Sequence, residues 1–235
     1  MSTIKKSLNV VWLKRDLRTS DHAGFYGAEK LGEDYIVVYL FEPKQINYPD
    51  YSSRHQHFIF NSIIEMNKNL ISFNRKVYIF HADADVFFEF LSEKYEVDTV
   101  FSYQESGIKT TWDRDKKIAE LFIEKSIKWR EFQSQSVKRG ITNRKGWDKH
   151  WFEYANSKII SNQFTKNEFD LATTPFDFDI EEFSFLRTYP NQFQPAGEQY
   201  AWRYLVSFIL NRATEYNKNI SKPEKGRYSG GRIST

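Results

Sequence analysis

The chain has no cysteine. Disulfides, thiolate zinc sites, cysteine nucleophiles and redox-active thiol pairs are excluded together, and a reducing, cytoplasmic setting is expected. Long apolar runs are missing too. No stretch reaches the roughly 20 apolar residues that span a bilayer, and the opening MSTIKKSLNVVWL passes from a short polar lead into strand-like residues without a signal-peptide core. There is no Walker loop, no G-x-G-x-x-G and no G-x-S-x-G, so ordinary nucleotide-hydrolase, dehydrogenase and serine-hydrolase readings lose their usual support. His55 and His57 stand two apart on a predicted helix, point to different faces and make a poor metal pair. Net charge is scarce, +3 over 235 residues, too little by itself to mark a nucleic-acid binder.

Aromatic residues are plentiful, with 21 Phe and 14 Tyr, and a chain so rich in them is expected to pack rather than stay disordered. Its length suits one buried domain and part of a second. The charge is segregated. Residues 138–150 and 218–232 each carry five bases and one acid, while 168–182 carry six acids and no base.

Short β-branched or aromatic runs at Leu8–Leu13, Tyr35–Phe41, Val77–Phe80, Thr99–Tyr103 and Ile127–Phe132 read as strands buried on both faces. Between them lies helical periodicity: Ile59, Ile63, Met66 and Leu70 after the N-cap candidates Ser52 and Ser53; Val86, Phe87, Phe90 and Leu91 after Asp83; and Ile118, Leu121 and Phe122. This alternation predicts an α/β fold with a doubly wound, five-stranded parallel sheet of Rossmann-like type. Ligands of such sheets bind beyond the strands' carboxyl ends, where Lys14–Asp16, Phe41–Pro43 and Tyr103–Glu105 fall. Residues 1–135 are assigned to this domain and 136–195 to a connector pinned by its Phe residues. Residues 196–235 begin a helical domain, with one helix expected from about Glu198 to Tyr216.

The turn after the first strand reads Trp12-Leu13-Lys14-Arg15-Asp16-Leu17-Arg18-Thr19-Ser20-Asp21-His22. On its own it is a charged turn in which Arg and Asp can pair and Asp21 can cap the next helix. It also resembles the photolyase/cryptochrome signature: apolar strand, Trp, Arg-Arg-Asp-Leu-Arg, then Asp-Asn. Phe41-Glu42-Pro43, Gln104-Glu105 with Asp113-Arg114-Asp115, Gly197-Glu198, and Tyr216 with Ser221-Lys222-Pro223 and Gly231-Arg232-Ile233-Ser234 resemble later family motifs in the same order. His22 replaces the family's usual Asn and Glu42 its Asp, while Gly230-Gly231 stand where hydroxyl residues donate to flavin phosphates.

The resemblance implies the amino-terminal part of a deoxyribodipyrimidine photolyase-like flavoprotein. In such a protein an antenna pigment, a folate or deazaflavin, passes blue-light energy to a reduced FAD, which donates an electron to a pyrimidine dimer in DNA. It implies Tyr216, Arg232 and Ser234 as FAD contacts, and Leu13, Lys14, Leu40, Glu42 and Glu105 as the antenna's wall. A sheet edge plugged by its own side chains, or five strands in a different arrangement, would count against the light-driven account as a whole. Read by residue type alone, Glu42 and Glu105 are equally exposed loop acids, and the 222–235 stretch an ordinary loop-like tail. Residues 137–151 interleave bases with Trp147 and Trp151, as phosphate contact and base stacking require, making Lys138, Arg139, Arg144 and Lys149 candidate DNA contacts. This part alone is expected to be a monomer without repair activity. None of its six Trp is assigned to the family's electron relay. A cryptochrome-type photoreceptor without repair, and a light-independent nucleotide-binding α/β module, are the alternatives; a visible absorption spectrum separates the second.

Overall fold

The computed structural model describes residues 5–133, 136, 138–219 and 222. Five strands, β1 (Ser7–Leu13), β2 (Tyr35–Leu40), β3 (Val77–Phe80), β4 (Glu96–Tyr103) and β5 (Lys128–Phe132), form one parallel sheet in the order β3-β2-β1-β4-β5. The order reverses at β1, which pairs with β2 on one side and β4 on the other. The ends of β1 and β4 therefore form the switch point.

Successive side chains of a strand point to opposite faces, and both faces here are covered. Leu8, Val10 and Trp12 of β1 pack with Ile36, Val38 and Val100 beneath α4 (Ala84–Lys94) and α5 (Lys109–Glu124). Val11, Leu13, Val37 and Phe101 face α1 (Ala23–Leu31) and α3 (Ser53–Leu70), meeting Phe25, Ile63, Met66 and Leu70. A short α2 (Pro43–Ile46) follows β2, with its proline at the first helical turn, where no amide is needed.

Some local expectations need correcting. Asp21 does not cap α1: its φ is +49° and its carboxylate accepts from the Ile160 amide, while His22 is the cap residue. Asp83 occupies the cap position of α4, but its carboxylate accepts from the Lys44 amide at 3.1 Å. The Ala84 amide is met instead by Glu42. Val86 is exposed and Phe88 buried, because the core-facing stripe of α4 is Ala84, Phe87, Phe88 and Leu91.

The long segment after β5 includes α6 (Trp147–Ala155), on which no residue is buried. It then runs past the sheet as a strap that touches both faces, Phe169 and Leu171 joining the core under α4 and α5 and Phe164 and Phe178 that under α1 and α3. Phe164 packs on Phe25 and Phe73, and Phe178 on Phe41, Phe60 and Phe183. Arg75 holds Thr165 through its carbonyl at 2.8 Å and its hydroxyl at 2.9 Å. Beside β3 the strap makes an antiparallel bridge, with the His81 amide donating to Phe176 at 2.8 Å and the Phe178 amide to Ile79 at 3.1 Å.

The last helical stretch is not one regular helix. α7 (Glu198–Ser207) passes into a π-helical turn, Phe208–Arg212, then a 3-10 turn, Ala213–Glu215, and α8 (Tyr216–Asn219). Among the described residues no helix is long and apolar enough to cross a membrane.

Candidate functional site

At the end of β1 the chain folds back on itself. The Asp16 carboxylate accepts from the Lys14 amide at 2.9 Å and lies 2.7 Å from His22 Nε2. His22 Nδ1 accepts from the Phe25 amide, which leaves the ring proton on Nε2, facing Asp16. The imidazole is fully buried against Phe25 and Tyr103. Burial pushes the Asp16 carboxyl up, but the His22 hydrogen bond and the Lys14 amide outweigh it, so the group sits below its ordinary value. The arginines of this turn do not pair with Asp16. Arg18 donates to the carbonyls of Ser20 and Asp21, and Arg15 pairs with Glu105 at 3.1 Å.

The residues expected to line the antenna crevice face one another. Arg114, from the second turn of α5, places its guanidinium 2.7 Å from Glu42, 2.8 Å from Asp115 and 3.5 Å from Glu105. The Lys14 ammonium lies 3.1 Å from Asp115 and 4.3 Å from the ring centre of Trp12. The Lys14 and Glu105 side chains are each only 4% exposed, and Glu42 only 5%. Glu42 and Glu105 are thus buried, not exposed loop acids. Glu42 accepts from Arg114, Gln45 and the Ala84 amide, and Glu105 from Arg15 and the Ser106 amide. Burial holds the Lys14 amine below its ordinary value and raises the Glu42 carboxyl, with Asp115 and Arg114 opposing the respective shifts. Gly107 lets this turn close, since a Cβ there would lie 2.5 Å from Arg15 Nη2 and 2.9 Å from Glu105 Oε1. Leu13 and Leu40 are buried strand-end residues of the same edge.

Arg139, a predicted DNA contact, stands at the edge of this cluster, its guanidinium 3.5 Å from Glu131 and 3.9 Å from Asp115. Lys138, Arg144 and Lys149 are exposed, Lys149 with Glu153 at 3.9 Å, and Trp147, Trp151 and Phe152 are exposed beside them. Of the predicted FAD contacts, Tyr216 packs edge-on to Phe208 at 5.6 Å, and Arg232 and Ser234 lie outside the described residues.

Two motifs far apart in sequence meet at a third place. The Glu198 carboxylate, at the start of α7, accepts from the Thr19 amide at 3.0 Å, the Thr19 hydroxyl at 3.1 Å and the Ser20 hydroxyl, 179 positions from Thr19. Gly197 makes this possible. Its φ is +101°, and a Cβ would fall 1.3 Å from Glu65 Oε2, the carboxylate whose other oxygen accepts from the Gln199 amide. A cavity of about 870 Å³ opens beside the clasp, between α3 and α7, lined in part by Asn61, Lys68, Asn69, Tyr189 and Trp202. Sequence reasoning did not assign roles to Arg114, Asp115, Arg15 or Glu131. The Asp113-Arg114-Asp115 triplet was the available signal, an arginine between acids at the start of a helix that leaves the switch-point strand. Among the described residues no cluster of His, Asp or Glu could hold a metal ion.

Comparison with known proteins agrees with this architecture. Residues 9–146 match the family model for DNA photolyase. A deoxyribodipyrimidine photo-lyase of Buchnera aphidicola is 22% identical over 228 residues, covering 88% of this chain and 46% of that protein. A bacterial class III photolyase from Agrobacterium tumefaciens superposes with a TM-score of 0.69 at 18% identity, over 93% of this chain and 48% of its own. A Synechocystis cryptochrome gives 0.69 at 14% identity, over 100% of this chain and 52% of its own. An archaeal photolyase from Sulfolobus tokodaii, solved with two FAD molecules, gives 0.65 at 19% identity, over 84% and 46%. The chain therefore spans about half the length of the curated relative it matches. With its sheet order, its charged first turn and a family match over more than half of its residues, the chain belongs to the DNA photolyase family.

Proposed function

We propose that this chain is the amino-terminal half of a flavoprotein that repairs pyrimidine dimers in DNA under blue light. The observation that carries the reading is the Glu198 clasp, which ties the most specific sequence motif, at Thr19 and Ser20, to the helix resembling the opening of the flavin domain. A reduced flavin, when bound, supplies the excited-state electron that splits the dimer. The residues of this chain do the holding. Glu198 and Glu65 fix the start of α7, and α7 with the π-helical turn after it turns Trp202, Val206 and Leu210 outward as a face for the rest of the flavin domain to cover. Tyr216, Arg232 and Ser234 are assigned to the flavin phosphates on the family resemblance, the last two lying outside the described residues. Lys138, Arg144 and Lys149 supply exposed cations for backbone phosphates.

The test is photorepair of an oligonucleotide carrying one cyclobutane dimer. The complete polypeptide should restore the paired bases only under blue light and only with bound flavin. The 235-residue chain alone should not. Repair by this chain alone would refute the division of labour. A complete polypeptide that photoreduces its flavin yet leaves the dimer intact would favour the photoreceptor reading, which the match of the Synechocystis cryptochrome across the whole chain supports.

A further inference from the structure

The pigment seat implied by the resemblance is the carboxyl edge of the sheet, and the side chains there are already engaged with one another. Arg114 sits at the centre, touching Glu42, Asp115 and Glu105. Lys14 is held between Asp115 and the indole faces of Trp12 and Trp129. Arg15 covers Glu105 from outside, and Arg139 lies along the far side, 3.5 Å from Glu131 and 3.9 Å from Asp115, as a longer-range ion pair. The four cations Lys14, Arg15, Arg114 and Arg139 balance the four carboxylates Glu42, Glu105, Asp115 and Glu131. On Glu105, Oε1 is taken by Arg15 and the Ser106 amide, and a pterin amino group reaching Oε2 would have to enter beside Arg114 at 3.5 Å. A ribityl or glutamyl oxygen could take the Lys14 ammonium only by stripping it from Asp115. Either exchange breaks a buried ion-pair contact, with only Arg114 left facing Asp115 or Glu105 at close range. With Lys14, Glu42 and Glu105 each exposed by 5% or less, the edge as folded offers a pigment no open contact.

We propose that this edge is a charge-balanced lock, closed by Arg114 and latched by Arg139, and not a pigment seat. It fastens the turns after β1, β2 and β4, the early turns of α5 and the basic segment after β5 into one unit. Arg139 thus sets where Lys138, Arg144 and α6 stand, rather than meeting an external phosphate itself. The inference concerns contacts within this chain and holds whether or not the complete protein repairs DNA.

Lysine acylation of the 235-residue chain, read residue by residue by mass spectrometry, tests it. The Lys14 side chain is only 4% exposed, so slow reaction reports closure. Lys14 should label more than ~10-fold slower than the exposed Lys149, since a buried amine reacts only through local opening. Adding 5,10-methenyltetrahydrofolate or a 5-deazaflavin should leave that rate unchanged. Arg114→Ala should bring Lys14 toward the rate of Lys149. Arg139→Ala, at the half-exposed rim where folding is not at risk, should raise the Lys14 rate several-fold. Lys14 reacting as fast as Lys149 in the unaltered chain would overturn the lock. So would either pigment binding saturably and slowing Lys14, or an Arg139→Ala chain indistinguishable from the original. Dimer repair is a separate readout, so failure of the lock and failure of the repair reading are told apart.

Discussion

Replacing His22 by Asn isolates one buried contact, because Asn is as good an N-cap as any residue and can keep the bond to the Phe25 amide. What it cannot do is reach Asp16. The His22–Asp16 bond, 2.7 Å long and shut away from solvent, has an ionised acceptor and is worth about 1.5–3 kcal/mol. The ring also gives up its contacts with Phe25 at 4.6 Å and Tyr103 at 5.2 Å, roughly another 1 kcal/mol. His22→Asn should therefore cost about 3 kcal/mol, and His22→Ala about 1 kcal/mol more for the lost cap. Urea unfolding at pH 7 measures both. With a slope of about 2 kcal/mol per molar, the midpoint of the Asn variant should fall by about 1.5 M.

Acid should sharpen the comparison. Asp16 has its folded-state pKa below the ordinary value of 3.8, so between the two values the unfolded chain binds more protons than the folded one. Its contribution is complete above the ordinary value and is lost as pH falls through the folded one. The Asn variant, with that depression reduced, should lose less on acidification below about pH 4. An Asn variant within 1 kcal/mol of the original, or one as weak as the Ala variant, would refute the reasoning.

Other substitutions probe the strap and the clasp. Arg75→Met removes the cation that binds Thr165 and Glu29 and lies 3.9 Å from the Tyr35 ring centre. It should cost about 3 kcal/mol and speed proteolysis within residues 156–167. Phe178→Ala opens a gap between Phe41, Phe60 and Phe183 and should cost about 3 kcal/mol in urea unfolding. Gly197→Ala drives a methyl into Glu65 at a positive φ and should release the start of α7, seen as faster hydrogen exchange at the Gln199 and Ala201 amides with the sheet unchanged.

The sheet was legible because buried strands write their burial locally. Val77–Phe80 was read with the same ends that the structure has. β4 begins three residues before the predicted start because Glu96 and Asp98 look like turn residues in sequence, yet they form the polar outer end of a strand whose Val97 is buried. Ile127 is buried but belongs to the turn, its amide donating to Phe122 at 2.8 Å. The site was less legible. Lys14, Glu42 and Glu105 were found as strand-end residues, but their partner Arg114 lies 72 positions beyond Glu42, and only the packing of α5 brings them together. A charge at a loop gives no sign in one dimension of whether it meets water, a ligand or another side chain. Arg139 shows this, having been read as a phosphate contact from its basic neighbours. The π-helical turn at Phe208–Arg212 has no proline or glycine to announce it.

The strap alongside β3 bears on how copies of this half-molecule meet. By bonding to Ile79 and His81 it occupies groups through which that rim of the sheet would recruit a foreign strand. The opposite rim, β5, carries Lys128, Arg130 and Glu131, whose charges discourage the same event. Both rims of the sheet are thus guarded against runaway strand addition.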